Sequence, residues 1–145
     1  MRDGGLLVPR LTVREMAEDD RVRLVSLARD IQSAVGGVRA FAPLPRVTSV
    51  AQPTTGYDDV KVIAMARLLA GNIDSIQVDW PLYGPKLAQV ALTMGADDVD
   101  GVSALDGDLG RRRSPIEEIR GNIVAAGLEP VERDARFERR QEGHR

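Results

Sequence analysis

Four glycines, Gly36, Gly71, Gly95 and Gly127, each close an amphipathic stretch and precede a short apolar one. That punctuation constrains the fold more than any other feature. Glycine accepts the left-handed position after a helix without a Cβ penalty, so the pattern reads helix, stop, strand, repeated. Leu24, Leu27, Ala28, Ile31 and Val35 recur at three- and four-residue steps, which predicts a helix over about 20–35. Residues 38–42 read as a strand broken by Pro43 and Pro45. Thr55-Gly56-Tyr57-Asp58 has capping-box spacing and opens a second helix, with Val60, Ile63, Ala64 and Leu68 as its buried face. Residues 75–80 alternate as a strand and halt at Pro81. A helix over about 85–94 carries Leu87, Val90, Ala91 and Met94 on one stripe. Residues 98–103 form a weaker strand. Ser114-Pro115-Ile116-Glu117 opens a last helix to about Ala126, and residues 129–132 form a final short strand. Strands alternating with helices imply parallel βα units joined by right-handed crossovers, so the expected class is α/β.

Residues 1–19 lie outside the pattern as a polar N-terminal segment, in which Thr12-Val13-Arg14-Glu15 starts a helical turn. Residues 20–132 form the domain, and 133–145 a solvated, charged tail.

Composition narrows the chemistry. The chain of 145 residues has a net charge of −2, so no global field recruits nucleic acid or an anionic membrane. It has no cysteine and one histidine, His144, near the end of the charged tail. Thiolate metal sites, cysteine nucleophiles and iron–sulfur ligation are excluded within it, and the tail position of the one histidine argues against a Ser-His-Asp triad or a His-rich metal site. No apolar run approaches a membrane span, and the first residues do not open a signal peptide, so the expected location is the cytoplasm.

Ligands of parallel α/β proteins sit outside the carboxyl ends of the strands. After the first strand comes a connection holding Arg46, Thr48 and Ser49, a guanidinium fork with hydroxyl donors suited to a carboxylate or phosphate. After the second come Asp79, Trp80 and Tyr83, readable as a pocket wall with a charged floor or as rim packing with Asp79 capping the next helix. After the third comes Asp100. Asp97-Asp98-Val99-Asp100-Gly101 starts like a calcium loop but lacks the remaining ligand spacing, and no metal is expected there. On a strand, Asp98 and Asp100 share one face and Asp97 points away. Arg67 falls on an apolar helical face, where structural ion pairing is the better reading.

Several stretches together resemble a known group. They are the run from Gly56 to Leu69 with Asn72-Ile73, then Gly84-Pro85-Lys86-Leu87-Ala88-Gln89-Val90-Ala91-Leu92 and Gly95-Ala96-Asp97-Asp98-Val99-Asp100-Gly101. Glu118-Ile119-Arg120 and Pro130-Val131-Glu132-Arg133-Asp134 close the match. The chain is similar, over about residues 20–137, to radical S-adenosylmethionine enzymes of the aminofutalosine synthase, dehypoxanthine futalosine cyclase and FO synthase tyrosine-subunit group. The Gly-Ala-Asp-Asp-x-Asp-Gly element is the more specific part of that likeness.

The resemblance implies a half TIM-type barrel. Full members carry a Cys-x3-Cys-x2-Cys motif for a 4Fe–4S cluster and S-adenosylmethionine in their N-terminal half, and the segment matched here is the substrate-side C-terminal half. It implies that this chain alone binds no cofactor. It also implies a partner: either a missing N-terminal half-barrel or a second copy, because an eight-unit barrel needs about 250 residues. The implied activity is closest to aminofutalosine synthase of menaquinone biosynthesis, acting on a small aromatic carboxylate. Within the group, the cyclase and the FO synthase subunit are alternatives. A non-catalytic α/β remnant or ligand-binding module is the reading outside it, and a three-cysteine motif encoded immediately upstream would separate the two. Arg46, Ser49, Asp79, Trp80, Tyr83 and Asp100 are the expected substrate-side residues.

Overall fold

A computed structural model describes residues 8–14, 17–43, 55–102 and 116–140. Four strands alternate with helices: β1 (Arg10–Val13), α1 (Arg21–Val35), β2 (Ala40–Pro43), α2 (Gly56–Leu69), β3 (Ser75–Asp79), α3 (Trp80–Thr93), β4 (Asp98–Asp100) and α4 (Ile116–Ala125). All strand pairs are parallel and the spatial order is β1-β2-β3-β4. A strictly sequential order with right-handed crossovers places every helix on one face of the sheet, as in a barrel wall; a doubly wound sheet would reverse direction.

The two faces differ in chemistry. Register aligns Leu11, Phe41 and Ile76 on one face, joined by Val78 and Val99. These pack with Val25, Ala28, Ile63, Ala66, Ala88, Ala91 and Ile119 from the helices. The opposite face carries Arg10, Thr12, Ala40, Ala42, Gln77, Asp79, Asp98 and Asp100. Arg10 on the first strand donates to Asp100 on the last at 2.6 Å. Across a flat sheet those strands would stand about 14 Å apart with side chains parallel, out of mutual reach. The pair therefore shows that the sheet curls with its polar face inward, an arc of a TIM-type barrel.

Local signals explain the helices. Thr55 and Asp58 form the full reciprocal capping box at α2, and Gly36 ends α1 at φ 65°. Gln32 of α1 bonds Val38 N, Val38 O and Asn72 O, while Asn72 Nδ2 donates to Arg29 O and Ser33 Oγ. These bonds tie the loops before β2 and β3 to one helix end.

Several expectations are corrected. Residues 10–13 form an edge strand, not a helical turn: Arg-Leu-Thr-Val alternates with period two, a signal too short to outweigh its polar flanks. Leu68 is 83 % exposed, because the buried stripe of α2 runs through Asp59, Val62, Ile63 and Ala66. In α3, Val90 is exposed, as is Met94 at its C-cap, while Ala88, Ala91 and Leu92 are buried, so mostly small residues face the sheet. The helix also starts at Trp80, five residues earlier than expected, with a break at Gly84 (φ 72°) ahead of Pro85. β4 stops at Asp100, and residues 129–132 are irregular rather than a strand.

Residues 133–140 do not hang free as a solvated tail. They fold into a small hairpin closed by an antiparallel bridge between Arg133 and Arg139. Asp134 Oδ1 accepts from Arg136 N and Glu138 N within its turn, and these N–H bonds hold its carboxyl below the usual 3.8. The expected Ser114-Pro115 cap and the residues between 103 and 113 lie outside the described residues.

Candidate functional site

The concave face opens at the carboxyl ends of the strands into a cavity of about 640 Å³. Arg10, Thr12 and Arg14 line one wall, and Asp79, Pro81, Leu82 and Asp100 line the other. The charge is thus divided: cations and a hydroxyl on β1 and the residue just after it, carboxylates at the ends of β3 and β4. Arg14 is exposed and makes no ion pair among the described residues. Asp79 Oδ1 accepts from Leu82 N at 3.0 Å, capping α3. Gly101 allows the approach of the two strand ends: a Cβ there would meet Pro81 Cδ at 2.6 Å, and its φ is +78°.

Below the cavity, Arg133 grips Asp98 through both Nε and Nη2, the latter at 2.8 Å from Oδ1. Gln77 Nε2 donates to the same Oδ1 at 2.8 Å. The Asp98 carboxylate raises the Arg133 guanidinium above its ordinary value, with burial opposing, and the Phe137 ring lies 4.2 Å from that guanidinium.

Asp97 turns away from this face, as strand alternation requires. It accepts from Ile76 N at 2.8 Å and pairs with Arg67 at 2.9 Å, while Arg67 Nε donates to Gly95 O. The expectation of structural pairing for Arg67 holds. Partial burial nevertheless pushes the Asp97 carboxyl upward, against the lowering by Ile76 N–H and Arg67. Among the described residues no three His, Cys, Asp or Glu side chains converge as metal ligands. Nor do these residues fit an iron–sulfur cluster, which needs thiolates that the chain does not contain.

Of the residues expected at the site, Asp79 and Asp100 meet in the cavity wall. Trp80 and Tyr83 are placed elsewhere: they begin α3 and lie in the helix–sheet core, 1 % and 5 % exposed. Tyr83 also borders a shallower apolar groove with Gly56, Gly84, Pro85, Lys86 and Leu87. Arg46 and Ser49 lie outside the described residues. Sequence reasoning missed Arg10, Thr12, Arg14 and Arg133. The alternation Arg10-x-Thr12-x-Arg14 was the available signal for the first three; nothing local in the sequence marks Arg133 as a partner of Asp98. No helix among the described residues is long and apolar enough to cross a membrane.

The chain is 34 % identical over 133 residues to the 5-amino-6-(D-ribitylamino)uracil–L-tyrosine 4-hydroxyphenyl transferase 1 of Methanosarcina barkeri, covering 79 % of this chain and 35 % of that protein. It is 32 % identical to the aminodeoxyfutalosine synthase of Streptomyces coelicolor, over 92 % of this chain and 41 % of the relative. To the enzyme of that name from Thermus thermophilus it is 34 % identical, over 82 % and 36 %. The chain thus spans about two fifths or less of the length of these relatives. A family model described as the CofH/MqnC C-terminal region matches residues 39–145, which takes in α2, the Asp97–Gly101 corner and the Arg133 hairpin, and the chain therefore belongs to that family.

Proposed function

We propose that this chain is the substrate-side half of a radical S-adenosylmethionine enzyme, most like aminodeoxyfutalosine synthase. The observation that carries the reading is the charge-divided cavity on the concave face, whose carboxylate wall, Asp79 and Asp100, lies within the residues that match the C-terminal region of such enzymes. A closed barrel confines a substrate between its two halves, so this wall orients the substrate while the cluster and S-adenosylmethionine belong to a cysteine-bearing N-terminal half. The arc is the shape such a half-barrel, or a second copy, would complete. Menaquinone biosynthesis in the cytoplasm is the setting this implies.

Arg10, Thr12 and Arg14 suit a substrate carboxylate, because guanidinium bonds to carboxylates are charge-assisted and directional. Arg46 and Ser49, on the connection after β2, would add to that anion subsite. Asp79 and Asp100 suit a donor or cationic group, and Trp80 and Tyr83 shape the wall from behind. The division of charge also favours a second reading within the family. A zwitterion spanning both walls corresponds to the L-tyrosine in the name of the Methanosarcina barkeri relative.

The test is kcat/KM in the complete enzyme. Arg46→Lys and Arg14→Met are expected to weaken substrate use by roughly 1.5–3 kcal/mol each, the scale of a hydrogen bond to a charged group. Arg139→Ala, an exposed side chain of the hairpin, is expected to change almost nothing. Equal losses in all three would defeat the reading. Preference for L-tyrosine over an aromatic carboxylate lacking the amine would select the second substrate.

A further inference from the structure

Arg133 comes from the end of the chain, yet it is wired to the cavity wall. Its Nε and Nη2 hold Asp98, its Nη2 lies 3.7 Å from Asp100 Oδ1, and Arg10 Nη1 takes the other Asp100 oxygen at 2.6 Å. Asp98, Arg133, Asp100 and Arg10 thus form one continuous chain of charges with no net charge. Asp98 and Asp100 stand two residues apart on one strand face, about 7 Å along it. Arg133 occupies the space on the inner side of both. Only the far members, Arg10 and Asp100, line the cavity. Asp98 is nearly buried, and beyond Arg133 its described partner is the neutral amide of Gln77.

We propose that Arg133 is a positioning residue for the cavity: by neutralising Asp98 and sharing Asp100, it leaves the Arg10 guanidinium available to an anionic ligand group. The inference rests on the reading of the cavity as a site that takes a carboxylate. Charges at these separations, partly shielded from water, still interact substantially, so the balance of the four decides what Arg10 can offer. Removing Arg133 leaves two carboxylates facing one guanidinium, and the wall turns against anions. Removing the Asp98 charge instead leaves two guanidiniums to one carboxylate, and the wall favours anions more than in the wild type.

These opposite signs separate positioning from mere support. Arg133→Met and Asp98→Asn each break the same buried pair and loosen the hairpin to a similar degree, so a purely structural role predicts the same direction for both. The experiment titrates 4-fluorobenzoate into the full chain and follows fluorine NMR. Arg133→Met is expected to weaken binding roughly three- to tenfold, and Asp98→Asn to tighten it by a similar factor. The double variant restores neutrality and is expected within about twofold of wild type. Arg120→Met, which breaks an exposed pair with Glu132, is expected to match wild type.

Weakening by both single substitutions overturns the proposal, as does unchanged affinity in both. If Arg133→Met fails to fold, Asp98→Asn and the double variant still decide the matter: tightening followed by return supports it, and loss in either overturns it. Absence of binding in wild type and Asp98→Asn alike defeats the cavity reading itself, and the proposal with it.

Discussion

At α2, a threonine and an aspartate three residues apart satisfy each other's backbone. Thr55 Oγ1 accepts from Asp58 N at 3.1 Å, and Asp58 Oδ2 accepts from Thr55 N at 3.2 Å. Thr55→Ala is expected to lower stability by about 1 kcal/mol in denaturant titrations. The bonds from Thr55, reinforced by Arg21, hold the Asp58 carboxyl below its ordinary 3.8. A lowered folded value stabilises above the unfolded one, so the contribution of Asp58 is full above about pH 4 and vanishes as pH falls through the lowered value. Asp58→Asn should therefore flatten the acid limb of the stability–pH curve; an unchanged limb would show that the carboxylate is not differentially ionised. Gly101 is the other residue whose identity the geometry demands. Gly101→Ala combines a left-handed φ with a 2.6 Å approach to Pro81 Cδ, and is expected to cost roughly 1–3 kcal/mol. Melting temperature measures it, and a neutral effect would mean that the corner relaxes freely.

Elements are joined by a few polar staples as much as by the core. Gln32 makes three hydrogen bonds to the loops that lead into β2 and β3, while Asn72 returns two to α1. Gln32→Ala is expected to cost about 1–3 kcal/mol and Asn72→Ala about half as much, since net hydrogen-bond contributions lie near 1 kcal/mol each. The two share one loop, so their double-mutant cycle should show coupling rather than additivity. Additive losses would mean that each side chain acts on its own. In α3 the alanines at 88 and 91 let the helix lie close to the sheet, which is why the larger Val90 and Met94 sit outside.

For the molecule as a whole, an arc of four parallel strands leaves β1 and β4 without a further strand neighbour among the described residues. Open edges and an uncovered concave face favour association. Sedimentation of the purified chain is expected to show oligomers or aggregation that rise with concentration; a compact monomer at high concentration would mean that some other part of the chain covers the edges. Anaerobic treatment with iron and sulfide is expected to give no iron–sulfur charge-transfer band on this chain, because it holds no cysteine. A stoichiometric cluster would sink the assignment of that chemistry to another half.

Local rules were legible wherever one segment decides its own shape. The left-handed glycine stops at Gly36, Gly95 and Gly127, the capping box at Thr55 and the alternation of helix and strand follow from backbone sterics and from hydrogen bonds a few residues long, so the sequence alone determines an α/β chain with its main elements apart from β1, while Gly71 follows its helix without a positive φ. Family membership was likewise readable, because motifs such as Gly95–Gly101 are contiguous. The candidate site was legible only in part. Asp79 and Asp100 are recognisable as strand ends, but the wall opposite them comes from β1, whose role depends on pairing with β2 thirty residues away. Trp80 illustrates the same limit: next to Asp79 in sequence, it turns into the core because Asp79 caps a helix that starts at once. Arg133 reaches Asp98 across 35 residues, and Arg10 reaches Asp100 across 90. Such contacts carry no local signature; they exist only because the sheet curls and brings charges from distant parts of the chain onto one concave face.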